Sequence, residues 1–298
     1  MAVNDKRLRV TELDFDNIKQ NLKTFLKAQN EFKDYDFEGS GMSILLDTLA
    51  YNTHYLGFNA NMLANEMFLD SASLRSSVVS HAKTLGYEVT SARSPYATVN
   101  VRLTTPSNNK TMSAGTAFTT NVGGTDYQFV TIADVTGNNS GSAVQFDSVN
   151  IYEGTYVTTK YVVDTADVDQ RFLLRDANSD TSTLTVKVQT SSSNTSTTTY
   201  TKATDITQLS SSSTVYFLQE TDSGLYEIYF GDGVVSKSLS DGNIVQLQYV
   251  ITNKGETNGA STFSSPSSID SVSSITVTTV ASAIGGADAE TLQSIKLN

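Results

Sequence analysis

The sequence has no cysteine and no tryptophan, and its 298 residues include only three prolines and two histidines. Without cysteine there are no disulfides, no thiolate-ligated zinc or iron–sulfur centre and no thiol nucleophile. That absence fits a reducing compartment. Long apolar runs are also missing: the best stretch, Ser43–Tyr51, is broken by Asp47 and falls short of the roughly 18 residues of a membrane span. The first residues, MAVNDKRLRV, are charged and lack the apolar core of a signal peptide. Basic residues are scarce, with 20 Lys and Arg against 31 Asp and Glu and a net charge of −11. This balance argues against a surface built for duplex nucleic acid, which needs clustered cations. The expectation is a soluble intracellular protein with no nucleic acid, membrane or small-molecule partner.

What is present changes along the chain. Residues 1–100 carry 10 basic and 12 acidic residues, whereas residues 101–298 carry 10 and 19 over twice the length. Ser and Thr make up about a quarter of the chain and concentrate after residue 100. Two structural regimes follow. The first is helical. Thr11-Glu12-Leu13-Asp14 has capping-box spacing, and Phe15, Ile18, Leu22, Phe25 and Leu26 follow at helical intervals. The charged segment Asn30–Glu38 and Gly39-Ser40-Gly41 end that unit. A second helix is expected from Met42 to about Met67, with Leu45, Leu49, Leu56 and Leu63 among its apolar positions. Asp70 or Ser71 caps a third, where Leu74, Val78, Ala82 and Leu85 form a stripe that Gly86 ends.

The second regime reads as strands. Val99, Val101 and Leu103 alternate within Thr98–Thr104, and Ala117–Thr120 and Tyr127–Ile132 flank the turn Gly123-Gly124. Further strands are expected at Ser148–Tyr152, Tyr156–Val163, Thr183–Gln189, Val215–Glu220, Tyr226–Phe230, Ile244–Thr252 and Ser274–Val280. Their short length and β-branched content suit antiparallel pairing, not the βαβ rhythm of a nucleotide-binding sheet. Thr190–Thr199, followed by Ser210–Thr214, reads as a flexible loop, with a Thr-rich β-ribbon as the competing reading.

Candidate chemistry is thin. His54 and His81 lie in predicted helices with Tyr51 and Phe58, or Val78 and Leu85, at the ligand offsets, so ordinary packing or hydrogen bonding explains them. Asp176-Ala177-Asn178-Ser179-Asp180 starts like a calcium loop, then has Thr181 at the glycine position and Lys187 where the bidentate Glu belongs. It is read as a turn. Gly231-Asp232-Gly233, between Tyr226–Phe230 and Val234-Val235, signals a hairpin, and Asp241-Gly242 repeats the device. Asp232 as an acid or base lacks a paired carboxylate. Gly285-Gly286-Ala287-Asp288 is no phosphate loop; it reads as a flexible joint before a helix capped by Asp288, with Leu292 and Ile295 as its first apolar turns. No Ser sits in a nucleophile elbow, and the sequons at Asn109, Asn138 and Asn194 mean little without secretion. No catalytic residue, metal ligand or cofactor site is assigned.

Residues 35–103 carry Leu-Leu-Asp-Thr-Leu-Ala-Tyr-Asn (45–52), Asn-Glu-Met-Phe-Leu-Asp-Ser-Ala (65–72) and Leu-Gly-Tyr (85–87). Downstream come Tyr-Gln-Phe-Val-Thr (127–131), Ile-Tyr-Glu-Gly (151–154), Tyr-Glu-Ile-Tyr-Phe-Gly-Asp-Gly (226–233) and Gly-Gly-Ala-Asp-Ala-Glu-Thr-Leu (285–292). In this order the pieces resemble the baseplate J-like family, in particular the baseplate wedge proteins of T-even-type contractile-tailed phages. The resemblance implies a non-enzymatic virion subunit, assembled in the host cytoplasm and located in the tail baseplate. It implies association with itself, as a dimer, and with other wedge proteins around a central hub, and a part in the change that triggers sheath contraction. Family members of this type continue past the 285–292 joint, so the sequence is expected to be the front part of a longer protein.

The combined expectation is an α+β protein, an N-terminal helical module followed by an elongated, mostly antiparallel β region. The expected divisions are a helical module 1–92, a first β domain 93–189, a Ser/Thr-rich loop or linker 190–213, a second β segment 214–284 and the start of a further, truncated helical segment 285–298. A helix apolar all round wants burial on several sides. Tyr51, Tyr55, Leu56, Phe58, Met62, Leu63, Asn65, Glu66 and Met67 are therefore the candidate partner interface, with a core helix of the chain's own domain as the bland alternative. Asn65 and Glu66 either cross-link neighbouring backbones or merely cap, and Arg75 has Asp70 or Glu66 as a partner. Gly86, Gly231, Asp232, Gly233, Gly285 and Gly286 are the candidate structural turns. Two rival functions are a glycan-binding adhesin using stacked tyrosines and a polysaccharide-degrading enzyme with paired carboxylates.

Overall fold

A computed structural model describes residues 14–27, 41–106, 110–167 and 169–297. Thr11–Leu13 of the expected capping box, the segment Asn30–Glu38, Gly39-Ser40 and the sequon residue Asn109 lie outside them. The chain divides into two compact units, 1–87 with 292–298, and 88–291.

The first unit is helical: α1 (Phe15–Lys27), α2 (Gly41–Glu66), α3 (Arg75–Thr84) and α4 (Leu292–Leu297). At 26 residues, α2 is about 39 Å long. Its buried positions are Ser43, Leu46, Ala50 and Gly57, a narrow stripe of mostly small residues. Helix α1 packs along α2, tied by a Lys19–Asp47 ion pair of 2.5 Å. Helix α3 buries Val78, Val79 and Ala82, and it packs with α4 through buried Ile295. Lys296 Nζ donates to the carbonyls of Asp70 and Ala72, at 3.2 and 2.5 Å.

Helix α3 starts at Arg75 with Leu74 as its N-cap, four residues later than the expected cap at Asp70 or Ser71. The physical reason lies in Glu66, whose carboxylate accepts the N–H groups of Ser73 and Leu74 and replaces a local cap. Gly86 ends α3 as expected. With φ of 81° it lets Tyr87 N–H reach Ala82 O at 2.9 Å while its own N–H reaches Lys83 O at 3.0 Å, a Schellman ending. Leu85, expected in the buried stripe, is the C-cap and is exposed.

The second unit holds β1 (Tyr96–Thr104), β2 (Thr111–Met112), β3 (Ala117–Val122), β4 (Thr125–Val130), β5 (Val135–Thr136), β6 (Asn138–Asn139) and β7 (Ala143–Glu153). It continues with β8 (Thr155–Val162), β9 (Phe172–Leu174), β10 (Ser179–Gln189), β11 (Thr197–Lys202), β12 (Val215–Glu220), β13 (Tyr226–Tyr229), β14 (Ile244–Ile251) and β15 (Ile275–Ile284). One sheet runs β15-β1-β7-β4-β3 with β6 on β7; a second runs β8-β14-β10-β11-β12-β13-β9. All pairings are antiparallel except β11–β12. The alternation in β1 buries Val99, Val101 and Leu103 completely, and Phe118, Phe129, Phe146 and Ile151 complete that core. Phe172, Val186, Tyr200, Tyr216, Tyr226, Leu247 and Tyr249 form the second.

The two cores meet where β7 turns into β8. Glu153, fully buried, accepts from Thr252 Oγ1 at 2.8 Å, Asn253 N at 2.9 Å and Asn253 Nδ2 at 2.7 Å. Next to it Gly154 has φ of 123°, and a Cβ there would stand 2.1 Å from Ile251 O, so only glycine fits.

Three expectations for this region are corrected. The Thr190–Thr199 segment is not a loop throughout, because β11 starts at Thr197 and buries Tyr200 between β10 and β12. Gly231-Asp232-Gly233 makes a turn but no hairpin: β13 ends at Tyr229, and no strand follows at Val234-Val235. Gly233 N–H instead bonds Ser236 O at 2.9 Å, and the backbone at Gly231 lies against Ser236, closing a compact loop. Gly285-Gly286 is not a flexible joint. Gly286 exchanges two hydrogen bonds with the Asn258 amide, and a Cβ on it would meet Pro95 Cγ at 2.3 Å. Asp288 pairs with Lys254 at 2.9 Å, four residues ahead of α4, and so does not cap it.

Candidate functional site

At 100° per residue, the exposed apolar side chains of α2 fall into two stripes beside the buried one. Ile44, Tyr51, Tyr55, Phe58 and Met62 form the first, and Leu45, Leu49, Leu56 and Leu63 the second; their exposures run from 42% to 72%. A polar strip of Thr48, Asn52 and Asn59 separates them. Within each stripe the residues are three, four or seven positions apart, the spacings that keep side chains on one helix face. Among the described residues, the helix thus buries one narrow face against its own unit and leaves the larger apolar area uncovered. Surface leucines standing singly need no explanation, but two apolar stripes running over more than five turns do.

The structure brings Tyr51, Tyr55, Phe58 and Met62 together on one stripe and places Leu56 and Leu63 on the other. Met67 follows the last helical residue and is exposed. Asn65 and Glu66 fall outside both stripes and are engaged within the chain. Asn65 O accepts from Ser71 Oγ at 2.6 Å, and Glu66 accepts from Ser73 N at 2.8 Å and Ser73 Oγ at 2.7 Å. Lost hydration alone would raise the Glu66 carboxyl, but the Ser73, Ser77 and Leu74 donors outweigh it and hold the carboxyl at about 2. His81 Nε2 lies 2.8 Å from Glu66 O and so carries the proton there. Ile44 belongs to the site but was not singled out by the sequence reading; its place seven residues before Tyr51, on the same helix face, is the signal that finds it.

Other candidates resolve as structure. The Asp180 carboxylate, buried, accepts from Ser94 N at 2.7 Å and Ser182 N at 2.9 Å. Asp232 accepts Val234 N–H at 2.9 Å, which holds its carboxyl below the usual carboxylate range. Among the described residues no group of three His, Asp or Glu side chains could hold a metal ion. No helix in them is long and apolar enough to cross a membrane. Of the β-region tyrosines, Tyr200, Tyr216, Tyr226 and Tyr249 are core residues. Tyr229 has Phe217 stacked 5.1 Å away and the Arg171 guanidinium 4.9 Å from its ring centre.

Residues 14–87 match the model of the baseplate wedge protein gp6-like helical domain, and residues 157–260 that of the third domain of bacteriophage baseplate wedge protein gp6. The chain is 31% identical to baseplate wedge protein gp6 of Enterobacteria phage T4 over 312 aligned positions, 95% of this chain. It spans about half of that relative's length, 46%. The first match ends at the residue where the helical unit ends, and the second lies inside the strand unit. The two gp6 models together match more than half of the chain, which belongs to the gp6-like baseplate wedge protein family.

Proposed function

We propose that this chain is a structural, non-enzymatic subunit of a phage tail baseplate wedge, located in the virion tail and assembled in the host cytoplasm. The observation that carries the proposal is the pair of uncovered apolar stripes on α2. Burying an exposed leucine or aromatic side chain contributes about 1.5–3 kcal/mol, so nine such side chains make a strong drive to associate. Two stripes about 100° apart let one helix hold two neighbours. Those neighbours are a second copy of this chain and other wedge proteins, joined in the ring around the hub. The strand unit braces that ring. A bistable interface of this kind passes attachment on to sheath contraction, since ligands act on assemblies through differential contacts in two states.

The test is the mass of the purified chain in solution, alone and mixed with candidate wedge proteins. A dimer or defined heteromer is expected, and Leu56→Asp or Leu63→Asp abolishes it while the strand unit keeps its far-UV signature. A monomer that ignores every wedge protein would overturn the docking role of α2.

A further inference from the structure

The first sheet of the strand unit has a window in it. Strand β7 pairs with β4 at Tyr152 and Glu153 and with β6 at Val144 and Gln145. Among the described residues, 146–151 between them have no strand on that side. The chain leaves β7 after Val130 because the segment Ser113–Thr116 draws it away. Thr131 N donates to Thr116 O at 3.2 Å, Thr131 O accepts from Gly115 N at 2.7 Å, and Asp134 Oδ1 accepts from Ala114 N at 2.8 Å. The window held open in this way contains a cavity of about 230 Å³, walled by Ile132, Val135, Val149 and Tyr152. That is below the ~300–1,000 Å³ of pockets for drug-sized ligands and suits a single side chain.

A β-bulge sets a carboxylate at this cavity. Val99 pairs with Val149 and Val101 with Phe146, so Asp147 and Ser148 together oppose Asn100. Ser148 takes a φ of 53°, a left-handed backbone that serine adopts only at a cost, and Asn100 Oδ1 holds its N–H at 2.7 Å. Bulges re-aim side chains, and this one brings the exposed Asp147 into the cavity lining. Among the described residues Asp147 has no hydrogen-bond or ion-pair partner. Asp134, between the lining residues Ala133 and Val135, adds a second negative charge, and no Lys or Arg lines the cavity. One backbone position is open too. Gly154 N donates to Gln128 O and Glu153 N to Pro95 O, so by alternation Gly154, Tyr152 and Asn150 turn their backbone groups away from β1. Tyr152 meets Val130 there, whereas Asn150 meets no strand.

We propose that this cavity receives a basic side chain, lysine or arginine, presented by an extended segment of another protein. The apolar walls suit the aliphatic stem, which such residues bury while the charged head stays at a polar edge. Asp147 supplies the acceptor for that head without a cation in the lining to compete. Asn150 offers one N–H and one C=O to the backbone of the segment, groups that a free amine has no means to use. The overall balance agrees: residues 101–298 carry 10 basic and 19 acidic residues, so the unit attracts a basic segment and repels a second copy of itself. The inference stands apart from α2 and from the wedge reading, and its failure would leave both untouched.

The test titrates the whole isotope-labelled chain with Nα-acetyl-lysine N-methylamide and with its arginine counterpart, read by amide NMR shifts. The amides of Ile132, Val135, Asp147 and Asn150 are expected to move together and saturate with at least one of them. Nα-acetyl-norleucine N-methylamide keeps the stem without the charge, and pentylamine keeps the charge without the backbone. Each is expected to bind about tenfold more weakly, the measure of one lost hydrogen bond at the site. Asp147→Asn should weaken lysine or arginine binding by about the same factor. Asp126→Asn, an exposed carboxylate bonded to Asn121 on the β3–β4 hairpin, should leave it unchanged. Ala133→Phe, which fills the cavity from an exposed position without altering Asp147, should abolish the shifts and covers the case in which Asp147→Asn fails to fold. No saturable shift with either probe, equal binding of the norleucine compound, or unchanged affinity in folded Asp147→Asn would overturn the proposal. Equal binding of pentylamine would overturn the protein segment as occupant.

Discussion

Glu66 caps a helix that begins nine residues after it. Its carboxylate gathers Ser73 and Leu74 N–H groups that α3 would otherwise leave without partners, and the helix starts there although Leu74 is a poor cap. The consequence is pH-dependent. The folded carboxyl is held at about 2, below the ordinary 4.5, so the unfolded chain takes up a proton first as acid is added. The stabilisation is therefore complete above about pH 4.5 and is lost as pH falls towards 2. The helical far-UV signal is expected to become heat-labile across that window. Glu66→Gln should lower the stability of the helical unit at neutral pH by about 1 kcal/mol, the worth of a cap, and should flatten the acid dependence. An acid profile unchanged by the substitution would contradict this account. None of this is legible beforehand, because the donors sit seven and eight residues away across an irregular turn. Glu153 and Asp180 escaped for the same reason: Thr252 and Asn253 on Glu153, and Ser94 on Asp180, donate from roughly 90 to 100 positions away.

At the scale of elements, legibility followed side-chain chemistry. Helix α2 and strands β1, β12 and β14 are rich in apolar residues, and their expected ranges differ from the observed ones by no more than two residues at either end. Strand β11, Thr197–Lys202, was read mainly as loop since Thr and Ser serve turns and strands alike. One residue distinguishes the two: Tyr200 is the only buried side chain in β11, packed edge-on to Phe230 at 5.3 Å. Tyr200→Ala should therefore cost about 3–5 kcal/mol, as large aromatic truncations in cores do. Thr198→Ala in the same strand should stay within about 0.5 kcal/mol, the range of surface substitutions. Urea unfolding followed by tyrosine fluorescence separates them; equal losses would mean that β11 is held by its ladder and not by its core residue. The 231–233 loop failed in the opposite direction. Asp-Gly marks a positive-φ turn faithfully, but whether strands continue beyond it depends on partners that local sequence does not carry.

At the scale of the whole molecule, the two units differ in how far their apolar residues are covered. The strand unit encloses two continuous cores, whereas the helical unit leaves Tyr51, Tyr55, Leu56, Phe58 and Leu63 more than half exposed. A unit that buries so little has little stability of its own, and on the proposed docking role a partner bound at α2 supplies the rest. Heating the isolated chain should then give two transitions, with the 222 nm helical signal lost before the strand signal. A wedge partner bound at α2 should raise the first midpoint with its concentration and leave the second in place, since only the unit that binds is stabilised by mass action. Leu63→Asp separates this from a merely fragile helix. The side chain is 72% exposed, so the substitution should change the first midpoint of the chain alone by less than about 0.5 kcal/mol while abolishing the rise with partner. If Leu63→Asp instead unfolds the helical unit without any partner present, the leucine stripe is part of the unit's own core, and the assembly surface has to be sought elsewhere.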